Sequence, residues 1–164
     1  MSNKALYFII LFVCSFCSKA SSEQYYSSCN IYTSDVCFGI NKGDSIEMKT
    51  PADFILYTVV FGFDADAIIY YGYQPQKLPK TVLHKQQIKI DSGVSHAIKI
   101  AENKYRFQYR SAKSQKTIDV SISLTNSHET SKVLSFLENF RVCNRKGFSI
   151  ECEDEKVFKG LTLN

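Results

Sequence analysis

The sequence predicts an α+β fold, in which an antiparallel β-sheet of six to seven strands carries one C-terminal amphipathic helix at about residues 129–143. Polar and apolar residues alternate over residues 104–110 and 117–124, which is the pattern of strands with one solvent-exposed face. The spacing then becomes helical, and one apolar stripe is formed by Val133, Phe136, Leu137 and Phe140. A β-sandwich with one added helix is the alternative.

The most apolar stretch after the N-terminus is residues 53–76, and we expect it to form the hairpin at the centre of the sheet. Its two apolar runs, residues 54–61 and 67–73, are separated by a turn at residues 62–66. The first run is apolar on both faces, which predicts that it is covered on both. The later strands are joined by short turns, as in an antiparallel meander.

The N-terminal residues have the composition of a cleaved signal peptide. Lys4 precedes an apolar run at residues 5–16, and Ser18 and Ala20 are small residues at the positions that a signal peptidase reads. The run is shorter than the ~20 residues that span a bilayer. Residues 1–20 are therefore predicted to be a signal peptide. Residues 21–164 are predicted to be a single domain that is exported without a stable membrane anchor. Its compartment is the periplasm if the source is bacterial, and otherwise the protein is secreted.

Four cysteines follow the predicted cleavage site: Cys29, Cys37, Cys143 and Cys152. An even number of cysteines in an exported chain predicts disulfide bonds. We expect the local pairing, Cys29–Cys37 with Cys143–Cys152, because it closes two short loops; a pairing that joins the N-terminal to the C-terminal segment stays open. The spacing is not that of a zinc site, and no histidine lies near either pair.

Charge is distributed unevenly along the chain. Residues 21–76 contain seven acidic and two basic residues, whereas residues 77–116 contain ten basic and two acidic residues. Within this basic band we expect Lys104, Arg106 and Arg110 on the outward face of one strand, where they could meet an acidic protein or an anionic surface. An exported location argues against a nucleic acid partner.

No catalytic, cofactor or metal site is predicted. Asp64 and Asp66 could ligate a divalent cation only with further oxygen ligands, and none is recognisable nearby. A secreted hydrolase could use His84 and His96 with Lys89 in acid–base roles, but their spacing does not require it. The sequence contains neither an H-E-x-x-H nor a G-x-S-x-G motif.

By elimination, we expect a small exported, non-catalytic protein that binds another protein. The most specific form of this hypothesis is a periplasmic immunity or inhibitor protein that blocks a toxin or effector enzyme, as in type VI secretion. The alternatives are a secreted hydrolase (a nuclease or a cell-wall enzyme) with an unrecognised site, and an envelope accessory or surface-binding protein. The candidate partner-binding residues are Asp64, Asp66, Tyr70, Tyr71, Tyr73, Lys104, Arg106 and Arg110.

Overall fold

Eleven β-strands and one helix make up the computed structural model, which describes residues 29–160. The strands are β1 Ile31–Tyr32, β2 Val36–Phe38, β3 Ser45–Lys49, β4 Phe54–Val60, β5 Ala65–Gly72, β6 His84–Ile90, β7 Gly93–Ala101, β8 Lys104–Ser111, β9 Thr117–Leu124, β10 Arg141–Lys146 and β11 Ser149–Lys156. The helix α1 is Thr130–Leu137, and a 3-10 turn at Ser127–Glu129 precedes it. The predicted signal peptide, residues 1–20, lies outside the described residues.

Both sheets are antiparallel. The larger has seven strands in the order β3-β4-β5-β9-β8-β7-β6, and the smaller has four in the order β1-β2-β10-β11. The prediction of an antiparallel sheet with one helix is therefore confirmed in outline, but the fold is mainly β. The expectation of a single sheet is wrong, because short strands near both ends of the described chain pair with each other.

The predicted central hairpin is formed by β4 and β5, which pair along their whole length from Phe54 opposite Gly72 to Val60 opposite Asp66. The turn is shorter than predicted because β5 already begins at Ala65. On its other side β5 pairs with β9, from Ala65 opposite Leu124 to Gly72 opposite Thr117. The hairpin thus lies within the sheet and joins the acidic N-terminal half of the chain to the later strands.

The connection from β5 to β6 is a crossover, residues 73–83. It leads from the middle of the large sheet to the strand at its edge, so it has to pass β9, β8 and β7. At its far end the Leu83 N–H donates to the carbonyl oxygen of Lys99 (2.8 Å). The two prolines of this segment, Pro75 and Pro79, suit a connection that adds no strand to the sheet.

The helix is shorter than the predicted 129–143. It ends at Leu137, and residues 141–146 form β10 between β2 and β11. The predicted apolar stripe is helical up to Leu137. Beyond it the chain pairs with distant strands, and this pairing outweighs the local helical spacing of the apolar residues. At the start, the Asn126 side chain accepts a hydrogen bond from the His128 N–H (3.1 Å) and caps the 3-10 turn.

The core lies on one face of the large sheet, between that sheet and a layer made by α1 and the small sheet. Phe38 of β2 contacts Tyr57 of β4, with ring centroids 5.3 Å apart. Phe136 of α1 contacts Phe61 at 4.9 Å, and Phe140 contacts Phe158 at 5.3 Å. Offset and edge-to-face ring pairs of this kind add to the stabilisation that apolar burial provides.

Two disulfides fasten the small sheet. Cys29 bonds Cys37, and Cys143 bonds Cys152 across β10 and β11, so the predicted local pairing is confirmed. Disulfides of this number in a small chain indicate a non-reducing, exported environment. Within residues 29–160, no helix has the length and the hydropathy that crossing a membrane requires.

Candidate partner-binding surface

The opposite face of the large sheet, here called the outer face, carries five of the eight predicted partner-binding residues. Because side chains alternate along a strand, residues that neighbour the buried core positions point to this side. The predicted residues on it are Asp66 and Tyr70 of β5 and Lys104, Arg106 and Arg110 of β8. Strand register places Asp66 and Lys104 in one row, on either side of Ser123.

The sequence predicts that Arg106 points into solvent, but the side chain is buried. It is 4% exposed, as is Asp119, and the two form a buried ion pair in which Nε donates to Asp119 Oδ1 at 2.7 Å and Nη2 donates to Oδ2. Charged groups remain buried only when paired and hydrogen-bonded in this way. The prediction was wrong because the period of a strand fixes which face a residue occupies, but not whether another segment covers that face.

The covering segment is the crossover. Arg106 Nη2 donates to the carbonyl oxygen of Gln76 (2.6 Å), and Nη1 donates to that of Lys77 (3.2 Å). Gln108 Nε2, from the same strand as Arg106, also donates to Asp119 Oδ2 (2.9 Å). Arg106 therefore fastens the crossover to the sheet. Asp119, which no sequence pattern marks, is the residue that makes this possible.

A groove with a volume of about 370 Å³ opens beside the buried pair. Its floor contains Arg106, Asp119 and Ser121, and its walls contain Phe54, Leu56, Ile68 and Tyr70. The Phe54 and Tyr70 rings pack with their centroids 5.2 Å apart, and the Tyr70 hydroxyl oxygen accepts the Gln74 N–H (2.9 Å). Ile68 is 49% exposed in the middle of this wall. The groove is thus apolar on its β4–β5 side and polar at its floor, and it is lined by strands and by Gln74 and Gln76 of the crossover.

The remaining basic residues lie on the part of the outer face that β8, β7 and β6 form. Lys104 and Arg110 are exposed, and the Arg110 guanidinium donates to Gln115 Oε1 (3.0 Å). Lys85 and Lys89 on β6 are exposed on the same side of the sheet as His96. The basic band therefore occupies the half of the outer face made by β8, β7 and β6, whereas the half made by β4 and β5 is apolar and carries Asp66.

The three tyrosines near the end of the hairpin have different environments. Tyr71 is a core residue with 5% of its surface exposed, and its hydroxyl donates to Asp35 Oδ2 (2.5 Å) and contacts Ser34. Burial first, and then the hydrogen bond to Asp35, raise the pKa of Tyr71. Tyr73 is exposed, and Lys116 Nζ lies over its ring at 5.6 Å and over that of Tyr71 at 4.9 Å. Tyr70 and Tyr73 are thus the tyrosines that a partner can reach.

Asp64 and Asp66 lie at the end of the hairpin and are both exposed. The turn is held by two groups outside it. Asp44 Oδ1 accepts the Gly62 N–H (2.9 Å), and the Thr125 N–H donates to the Asp64 carbonyl oxygen (2.8 Å). Among the described residues, the one group of three or more metal-ligating side chains whose ligand atoms converge is Cys37, Cys143 and Cys152, all in disulfides.

The residues considered for acid–base catalysis do not assemble. In the pairing of β6 with β7, His96 is opposite Gln87 and His84 is opposite Lys99. His96 and Gln87 share a face because they are opposite each other, and His84 is three positions from Gln87 along β6. The two histidines therefore point to opposite faces of the sheet. His96 instead hydrogen-bonds Gln87 Oε1 (3.1 Å).

No protein-family model, curated protein or solved structure matches this chain. The geometry of the outer face therefore carries the functional argument by itself.

Proposed function

We propose that this chain is a small exported, non-catalytic protein that binds another protein through its outer face. The observation that carries the proposal is the groove beside Arg106 and Asp119, in which Ile68 is exposed among half-buried apolar side chains above a polar, hydrogen-bonded floor. Protein interfaces combine apolar contact area with polar residues at the border, and on the outer face the apolar half made by β4 and β5 lies beside the basic half. Exposed apolar side chains that are clustered on one face are a mark of an interaction site.

The charge of the outer face supports a partner with a complementary pattern. Asp66 lies at one end of the apolar wall, in the row of Lys104, and Arg110 lies at the other end of β8. Such a surface selects a partner that presents acidic residues to the β8 side, and complementary charge raises the association rate and suppresses wrong partners.

The specific form that we propose is an immunity or inhibitor protein of the periplasm, which blocks a toxin or effector enzyme. The preformed shape of the groove supports it. The groove is formed by β-strands and is closed on one side by a crossover that Arg106 holds in place, so its shape exists before a partner arrives. A preorganised surface loses less conformational entropy on binding, which favours the tight complexes that inhibition requires.

A co-purification in the native host tests this proposal. The full chain and an Ile68→Glu variant are used as parallel baits, because Ile68 is exposed in the wall of the groove and a charge there does not disturb the core. We expect an enzyme that co-purifies with the wild-type chain, is lost with Ile68→Glu, and loses activity when one equivalent of the wild-type chain is added. A chain that retains no partner, or a partner whose activity is unchanged in the complex, would contradict the inhibitor proposal.

A further inference from the structure

The distal part of the β10–β11 hairpin, residues 144–153, forms an arm that extends from the small sheet. β10 pairs with β2 only at Arg141 and Val142, and beyond them it pairs with β11 alone. Every residue from 145 to 154 is exposed. At the end of the arm lies Phe148, which is fully exposed.

The turn at the end of the arm is tight and presents Phe148 outward. Lys146 is opposite Ser149, so the turn has only Gly147 and Phe148 as its central residues. Gly147 has φ +63°, which suits glycine at the first central position of a type II′ hairpin turn. Phe148 follows in an ordinary conformation. The position of its backbone is therefore set by a regular hairpin turn.

The arm is fastened at its base and along its length. The Cys143–Cys152 disulfide joins its two strands where they leave the body. Asn144 Nδ2 donates to Glu153 Oε1 (2.8 Å), and Lys113 Nζ donates to Asn144 Oδ1 (3.1 Å), which connects the base to the large sheet. Nearer the tip, Lys146 pairs with Glu151 at 2.5 Å. The arm thus holds Phe148 in a preorganised position.

We propose that the arm is a second binding element, which inserts Phe148 into an apolar pocket of the protein partner. An aromatic ring exposed at the end of a fastened hairpin has the properties of an interface anchor: a large contact area and a backbone that loses little entropy on binding. Ile150 is also exposed and lies on β11, two residues after Phe148, so it extends the apolar contact.

The charge of the arm favours a protein over an anionic lipid surface. Arg145 and Lys146 are balanced by Glu151 and Glu153, and Lys146 is already paired with Glu151. An arm without net positive charge gains no attraction from an anionic membrane, which draws in clusters of Lys and Arg. This inference rests on the proposed function for the class of partner, but it uses a surface on a different sheet from the groove.

Photo-crosslinking with the full chain tests the inference. The photoreactive residue p-benzoylphenylalanine replaces Phe148 and, as a matched control, Tyr32, which is also an exposed aromatic residue of the small sheet. We expect a discrete protein adduct from position 148 in the native host and none from position 32. The crosslinked protein, expressed by itself, is then titrated with wild-type, Phe148→Ser and Tyr32→Ser chains.

Loss of an interface anchor weakens binding by about 30-fold or more, so we expect Phe148→Ser to raise Kd by at least that factor and Tyr32→Ser to leave it within about twofold. Both variants should keep the wild-type melting temperature, since both side chains are exposed. Equal Kd values for the two variants would overturn the inference, as would binding of the wild-type chain to phosphatidylglycerol vesicles that Phe148→Ser abolishes.

The same titration tests the outer-face proposal and the arm inference separately. If Ile68→Glu weakens binding and Phe148→Ser does not, the arm inference is overturned and the outer-face proposal stands. If only Phe148→Ser weakens binding, the partner docks on the arm and the outer-face proposal is overturned.

Discussion

At the scale of single residues, the buried Arg106–Asp119 pair decides how the outer face is built. Both side chains are almost fully buried, and Arg106 also donates to two carbonyl oxygens of the crossover. Removing one partner from a buried pair leaves an uncompensated charge, which is far more costly than losing an exposed ion pair.

Replacing Arg106 with alanine should therefore lower the free energy of unfolding by about 3–5 kcal/mol, because Asp119 then stays buried without its counter-ion. Chemical denaturation of the purified chain measures this. Lys104→Ala is the matched control, since Lys104 is an exposed cation on the same face of the same strand, and its effect should stay within about 0.5 kcal/mol. A loss for Arg106→Ala as small as that for Lys104→Ala would mean that the pair does not hold the crossover.

The buried tyrosines determine how the protein responds to alkaline pH. Burial raises the pKa of Tyr57, Tyr71 and Tyr109, and for Tyr71 the hydrogen bond to Asp35 raises it further. As pH increases beyond 10, the unfolded chain releases these protons before the folded one does, so the free energy of unfolding falls. Tyrosinate absorbance should show a group of late-titrating tyrosines, and Tyr71→Phe should remove one of them. Simultaneous titration of all tyrosines in the folded protein would contradict the assigned environments.

At the scale of elements, the strands of the large sheet were predictable and the crossover was not. Residues 104–110 and 117–124 alternate because one face of each strand is buried and the other is mostly polar, and this pattern is local. The helix end was misplaced because β10 forms through pairing with β2, more than a hundred residues earlier in the chain. Burial of Arg106 likewise depends on the path of residues 73–83, which no local pattern encodes.

Gly93, which follows the turn between β6 and β7, has no room for a side chain. A Cβ built there would lie 2.1 Å from the Arg110 carbonyl oxygen of β8, which is backbone and cannot move aside. Gly93→Ala should therefore destabilise the fold by about 1–3 kcal/mol, as overpacked sites do. Gly43→Ala is the control, because a Cβ at Gly43 has nothing within 4 Å. Thermal unfolding of the two variants measures the difference, and equal melting temperatures would refute the close approach of β7 and β8.

At the scale of the whole molecule, the charge asymmetry of the sequence becomes a division of one surface. The acidic, apolar segment forms the β4–β5 half of the outer face, and the basic band forms the β8–β6 half. The candidate residues Asp66, Tyr70, Lys104 and Arg110 were predictable as surface residues because strand period and turn composition mark them. The groove between them was not predictable from the sequence. It requires β9 to lie between β5 and β8, and this strand order follows from long-range pairing.

The central claim is that the outer face binds the partner protein, and calorimetric titration of the purified partner tests it most directly. Met48→Glu is the matched control for Ile68→Glu, because Met48 is an exposed apolar residue of the same sheet that is not among the residues of the groove. Ile68→Glu should raise Kd by about tenfold or more, and Met48→Glu should leave it within about twofold. Equal Kd values for wild type and Ile68→Glu would contradict the claim.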